Sequence, residues 1–222
     1  ALLIVDLGGD DQYQLGNRET PIQSNISLIY DQEGDDEYVA LPGRGASGLF
    51  GYGIQWDNGG NDTYRGIELT QAAAVFGAAM LLDRGGNDEY IATRGAQGYG
   101  IGGTGLLVDL GEGNDRYEGV TYCQASAEPH GSGVLFDEGG DDVYTLKNEP
   151  LLKPSAQSPE HNTSIGQGTG TGLRADLSDG RSLSGGVGFL MDAGGDDQYE
   201  AQVFCQGTGF LEGVGMLVDG GD

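Results

Sequence analysis

Positive charge is what this chain has least of. Only 10 of its 222 residues are Lys or Arg, against 35 Asp or Glu, for a formal charge of -25. Nucleic acid is excluded as a partner, because a phosphate backbone is held by Lys and Arg. Anionic membrane surfaces are excluded by the same sign. Two His and two Cys are too few to suggest zinc or another transition metal. No apolar run approaches the ~18 residues that span a bilayer; the longest, 72–82, is half alanine and glycine. No membrane insertion is therefore expected. A signal peptide is missing too: Ala1-Leu2-Leu3-Ile4-Val5 has no basic flank and already belongs to the repeat described next. The chain opens and closes inside repeats. It reads as one repeat domain, 1–222, cut from a longer array, with any targeting signal upstream. No nucleophile motif, phosphate loop or zinc spacing occurs, so the expectation is against catalysis.

What the chain has in excess is glycine and aspartate. Gly is 44 of 222, roughly three times the usual share of about 7%. One phrase uses both. In Leu81-Leu82-Asp83-Arg84-Gly85-Gly86-Asn87-Asp88-Glu89-Tyr90 an apolar run ends in Asp, a glycine turn follows, then a second acidic pair, then Tyr. It returns at 4–13, 29–38, 55–64, 107–117, 135–144 and 190–199, and begins again at 217. The first Asp of each copy recurs at intervals of 25, 26, 26, 26, 28, 55 and 27 residues. A sustained period near 26 marks a repeat architecture. Each repeat carries strand signals, and its alternating glycines, as in Gly103-Thr104-Gly105, would cost helix stability at every turn. The expected fold is all-β: a parallel β-solenoid with one ~26-residue repeat per coil, seven to eight coils, and strands about 4.8 Å apart.

The interval of 55 has two readings. Gln71, Gln97, Gln124 and Gln206 each follow a phrase Tyr by seven residues, whereas Gln167 follows Tyr144 by 23. That surplus, with a second one between Gln167 and Asp192, favours one coil with loops inserted near 146–164 and 173–184. Two stacked coils, one of them degenerate, is the alternative. On the one-coil reading Cys123 and Cys205 lie two coils apart, about 10 Å, beyond the roughly 7 Å that a disulfide spans. Both are expected to be free thiols.

Stacking in register turns positions into columns. Asp6, Asp31, Asp57, Asp83, Asp109, Asp137, Asp192 and Asp219 form one; Asp11, Asp36, Asp62, Asp88, Asp115, Asp142 and Asp197 form a second across the glycine turn. A mixed column of Asp10, Asp35, Asn61, Asn87, Asn114, Asp141, Asp196 and Asp222 runs between them. Two carboxylates ~5 Å apart repel by about 3 kcal/mol at an effective dielectric of 20. A turn needing only an acceptor is served by Asn, yet both outer columns keep Asp throughout. A divalent cation between coils removes the repulsion, and Ca²⁺ suits mixed carboxylate and carbonyl oxygens best. The candidate ligands are Asp6, Asp11, Asp31, Asp36, Asp57, Asp62, Asp83, Asp88, Asp109, Asp115, Asp137, Asp142, Asp192 and Asp197. The competing reading is Asx-turn chemistry with solvated carboxylates.

Gly111-Glu112-Gly113-Asn114-Asp115-Arg116-Tyr117-Glu118-Gly119 resembles the nonapeptide of hemolysin-type (RTX) calcium-binding repeats. Gly59-Gly60-Asn61-Asp62-Thr63-Tyr64 and Gly139-Gly140-Asp141-Asp142-Val143-Tyr144 are similar over six residues. The resemblance implies Ca²⁺ held by turn Asp and turn carbonyls of successive coils in a secreted protein. It covers the turns alone, about a third of the chain, and that family repeats about every nine residues with calcium turns on both edges. Here it supports calcium at one edge.

The remaining columns suggest structure. The phrase tyrosines are expected to stack, with sugar binding along them the lesser reading, and the glutamines to form amide ladders. Both faces of the strand before each Asp are apolar, so one stripe fills the core and the other faces outward as a docking or self-assembly surface, unless further chain covers it. The expected function is a calcium-binding, extracellular or cell-surface structural or adhesive module. The alternative is a polysaccharide-active or carbohydrate-binding β-helix whose site lies at the two insertions, with Glu149, Glu160 and His161 in the first, Asp176 and Asp179 in the second, and His130 nearby.

Overall fold

A computed structural model describes residues 1–17, 26–174 and 180–221. Within them the chain is built of strands without a helix. It winds into a parallel β-solenoid of about eight turns, the fold that the 26-residue period predicts. The segments before each first Asp stack into an eight-stranded sheet, the tyrosine segments into a seven-stranded sheet, and short small-residue segments into a six-stranded one. Register is repeat on repeat: Asp83 pairs with Asp109, and Tyr90 with Tyr117. The columns are therefore physical.

Ser132–Asp137 pairs directly with Val187–Asp192, with Asp137 opposite Asp192, so no coil lies between them. Val143–Leu146 is still in the tyrosine sheet. After the first excursion Thr163–Gly166 returns beside Val203–Cys205. The second is closed by an antiparallel bridge between Leu173 and Leu183. Asp176, Asp179 and Asp222 lie outside the described residues, as do residues 18–25.

The alternating glycines have a packing reason. Gly53, Gly105, Gly133, Gly188 and Gly215 point inward from the eight-stranded sheet at the backbone of the third sheet; a Cβ on Gly105 would lie 2.2 Å from the carbonyl oxygens of Ala72 and Tyr99. Two sheets thus meet at backbone contact along one side. The core widens on the other, where Ile29, Leu81, Leu107, Leu135 and Leu190 face the buried rings of Tyr38, Tyr64, Tyr90, Tyr117 and Tyr144. Those rings stack face to face, with centroids 4.7 to 5.0 Å apart. Being buried, the ladder presents no face to a sugar. Cys123 and Cys205 are free thiols.

The glutamine column differs from the expected amide ladder. Gln97 Nε2 donates to the Tyr90 carbonyl of its own coil (2.8 Å) and the Glu118 carbonyl of the next (3.0 Å). Gln71, Gln124 and Gln167 repeat the pattern. The left-handed backbone at this corner, φ +55° at Gln97, turns the amide toward carbonyls that the bend leaves short of donors, so backbone satisfaction outranks amide-to-amide bonding.

The second glycine of the turn is the least replaceable residue type. At Gly86 (φ +152°) a Cβ would sit 1.6 Å from the Gly60 carbonyl oxygen of the preceding coil. At Gly194, in the last complete turn, it would meet nothing within 4 Å. Gly86→Ala is expected to destabilise by about 3 kcal/mol, the upper range for forced overpacking. Gly194→Ala should stay within about 0.5 kcal/mol of the parent. Urea denaturation of the two variants side by side checks the difference.

Candidate metal centre

The glycine turn reverses the chain between two sheets, and it drives the side chains on either side of it into the core. The first-column residues Asp31, Asp57, Asp83, Asp109, Asp137 and Asp192 are buried, and so are Asp36, Asp62, Asp88, Asp115 and Asp142 of the second. The mixed column between them is exposed from Asp10 to Asp196. Its role is the one an acceptor fills: each side-chain oxygen accepts the backbone N–H of the same position one coil on, at 2.8 to 3.1 Å. Asp and Asn serve that bond equally, which is why the column mixes them. Burial of the two Asp columns counts against the competing reading in which these carboxylates are solvated.

The first-column aspartates from Asp31 to Asp192 are tied to the coil before them, whereas the Tyr199 hydroxyl at the far end has no partner among the described residues. The phenol of Tyr38 donates to Asp57 Oδ2 (2.6 Å), Tyr64 to Asp83 (2.5 Å), Tyr90 to Asp109 (2.7 Å), Tyr117 to Asp137 (2.6 Å) and Tyr144 to Asp192 (2.8 Å). The other oxygen accepts the glycine N–H two residues on at Asp57, Asp137 and Asp192. Asx-turn bonding is thus real in this column. At Asp31 and Asp83, Oδ1 is buried without a partner.

The second column behaves differently. Oδ1 of each aspartate accepts the N–H of its counterpart one coil back, at 2.6 to 2.9 Å. Asn would serve that bond as well. The other oxygen decides the matter: Oδ2 of Asp62, Asp88, Asp142 and Asp197 is buried and accepts no hydrogen bond. An unsatisfied buried carboxylate oxygen is costly, and in this column it occurs in four coils among the described residues.

The carboxylates of the two columns converge. The second Asp of one coil meets both Asp of the next in five triads: Asp36, Asp57 and Asp62; Asp62, Asp83 and Asp88; Asp88, Asp109 and Asp115; Asp115, Asp137 and Asp142; Asp142, Asp192 and Asp197. Within each, one oxygen per residue lies within 4.8 Å of the others. Every triad includes at least one orphaned Oδ2. The structure brings together eleven of the fourteen expected ligands. Asp6, Asp11 and Asp31 join no such group among the described residues. The first coil is more open there: Asp6 and Asp11 are only half-buried, and Asp6 Oδ1 is bonded to the Leu7 and Gly8 N–H groups. Asp31 Oδ2 takes the Tyr13 phenol.

Burial, then the charge of neighbouring carboxylates, pushes these acids far up: Asp36 to about 6, Asp62 and Asp142 to about 8, Asp88 to about 9. Asp115 and Asp137 rise to about 8 for the same reasons, and Asp57, Asp83, Asp109 and Asp192 rise with them, burial leading. The file therefore has two ways to relieve its charge, a shared proton or a cation. Since a coil brings two carboxylates, each second-column Asp being shared by two triads, one divalent ion per coil neutralises it.

At the insertions, His161 Nδ1 meets Gln202 Oε1 at 2.8 Å and Nε2 lies 3.9 Å from Glu160. Glu149 is exposed, and His130 meets Ser184 Oγ at 3.4 Å. Among the described residues none of these joins a carboxylate or histidine cluster of ligating geometry. Sequence reasoning missed the tyrosine hydroxyls as partners of the file; their offset of 18 to 20 residues before the next coil's Asp was a readable signal in all but the 48-residue span. Compared with protein-family models, curated proteins and solved structures, the chain matches none.

With divalent ions chelated, stability should fall as pH rises. Above the ordinary Asp value of 3.8, and below about 8, the folded chain keeps protons on Asp62, Asp115 and Asp142 that the unfolded chain has released. Folding then binds protons, and raising the pH opposes it. Melting temperatures in chelator should decline steadily from pH 5 to pH 9; a flat profile would mean that the file does not titrate in the core.

Proposed function

We propose that the buried triads hold a file of Ca²⁺ ions, and that the chain is a calcium-stabilised structural or adhesive module of the extracellular or cell-surface kind. The observation that supports this is the orphaned Oδ2 of Asp62, Asp88, Asp142 and Asp197, each buried among other carboxylates. A turn requires neither that oxygen nor its charge, since the exposed Asp/Asn column makes the equivalent bond with amides. A cation requires both.

Calcium suits the donors best. Three carboxylates offer up to six oxygens, and Ca²⁺ takes six to eight at 2.3 to 2.6 Å in irregular geometry. Mg²⁺ holds several waters in a near-ideal octahedron, which a core packed by tyrosine rings and leucines does not favour. All donors are oxygen, against zinc or copper. The ions would join each coil to the next through the shared second-column Asp, giving a rod whose rigidity depends on free calcium. The extracellular placement follows from calcium, which is abundant outside cells, and stands on that assignment.

Asp88→Asn separates cation from turn. The amide keeps the acceptor for the Asp62 N–H, now 2.6 Å away, and removes the charge. In chelator the variant should melt higher than the parent, because repulsion is relieved. In calcium it should melt lower, because the two triads that share Asp88 lose a ligand. Asp141→Asn, in the exposed column, should change neither. The parent should gain stability with calcium, about 2.7 kcal/mol per site at 100 times Kd, and less with magnesium. Thermal melts followed by circular dichroism read all of this; an unchanged parent melt in calcium overturns the proposal.

A further inference from the structure

The outward face of the eight-stranded sheet stands apart from the rest of the surface. Its central row runs Leu28, Ile54, Met80, Leu106, Val134 and Phe189, one residue per coil in register. The row nearer the Asp turn is of the same kind, through Trp56, Leu82, Val108, Phe136 and Val218 (37% exposed); the row on the other side has Ile26 (61%), Tyr52 (63%) and Val187 (45%) but carries Thr104 and Ser132 in the middle coils. Among the described residues no charged side chain points outward from this sheet, although the chain carries a net charge of -25. The seven-stranded sheet is the opposite case. Its outer face carries Glu37, Arg65, Glu89, Arg116 and Glu118 in ion pairs. At the corner leading into the apolar sheet, Phe50 and Phe76 stack in the open, 65% and 60% exposed with ring centroids 5.5 Å apart.

We infer that this face is where two copies of the chain pack, sheet against sheet. Size supports it. Eight strands about 4.8 Å apart and about six residues long at 3.3 Å per residue make a patch near 38 by 20 Å, about 750 Å² per copy. Two copies would bury about 1,500 Å², within the 1,200 to 2,000 Å² of stable specific interfaces. Monomers rarely expose a contiguous apolar patch beyond about 300 to 600 Å². Charge selects the occupant. Two molecules this acidic repel across their turn edges and their ion-paired sheet; the uncharged face is where they approach without opposing carboxylates. A basic partner would be drawn to the acidic edge instead. Shape agrees: parallel ridges at one spacing are self-complementary under a two-fold axis, and two such sheets pack about 10 Å apart near -30°.

The test is oligomeric state, by analytical ultracentrifugation of the chain from about 1 to 100 µM, in chelator and in calcium, since interfaces of this size span roughly micromolar to picomolar affinity. A dimer is expected, tightening as NaCl rises and screens the mutual repulsion. Leu106→Glu with Val134→Glu should weaken it by about 100-fold or more, as a central truncated or charged contact does. Leu106→Thr with Val134→Thr, which suits a strand, should weaken it without disturbing the fold, checked by circular dichroism. A folded monomer at 100 µM overturns the inference. So does a dimer indifferent to both variants, which would use another face, or a monomer that binds phosphatidylcholine vesicles through this face and loses that binding in the variants.

Discussion

Two carboxylates per coil, stacked in register inside the core, set the terms for the rest of the molecule. Like charges at strand spacing cannot be buried without compensation. Each structural device around them can be understood as supplying some of it. The tyrosine hydroxyls of one coil donate to the first Asp of the next. Backbone N–H groups fill one oxygen of the second Asp. Glycine lets the turn close tightly enough to aim both carboxylates inward. What these donors leave over is one oxygen in each of several second-column Asp residues, one in Asp31 and Asp83, and the charge itself, and protons or cations must account for that remainder.

The tyrosine ladder is a consequence of the same constraint. A phenylalanine column would stack as well, since ring stacking needs only a face. The hydroxyl makes tyrosine the residue that closes an apolar core on one side and an acidic file on the other. The rings are nearly parallel, within 3° from Tyr38 to Tyr144, because their para oxygens must reach equivalent aspartates at equal heights.

Much of the fold could be read from spacing. The recurrence of Asp83, Asp109 and Asp137 at nearly constant interval fixed what stacks on what, because a parallel solenoid places equal positions one above another. The third sheet was not readable: Ala73–Val75 and Ser126–Ala127 carry no strand pattern. They are strands because the glycines of the neighbouring sheet admit them to backbone contact. The side on which the Asp columns lie was also hidden. A run of Asp, Gly and Asn ordinarily marks solvent, and nothing local distinguishes Asp88, which is buried, from Asn87, which is not. The distinction was present only in comparison between repeats: one column tolerates the amide and the other two never use it. Gln97 could be aligned, but its bonds to backbone carbonyls depend on a left-handed corner that a single sequence does not announce.

The side-chain bonds of the buried columns run one way, opposite to those of the exposed Asp/Asn column. Tyrosine and glutamine give hydrogen to the following coil, and buried aspartate receives it from the preceding one. A coil is therefore not the same object seen from its two sides, and inverted stacking would set donor against donor. Slipping by a whole coil, in contrast, leaves almost every such bond intact, since the repeats are near-equivalent. Folding thus faces an ambiguity of count, not of direction. The excursions between Leu146 and Thr163 and between Leu173 and Leu183 occur on a single turn of the winding, and they break that equivalence. They act as an index mark, so that a chain of interchangeable rungs has one frame in which its loops have room to leave.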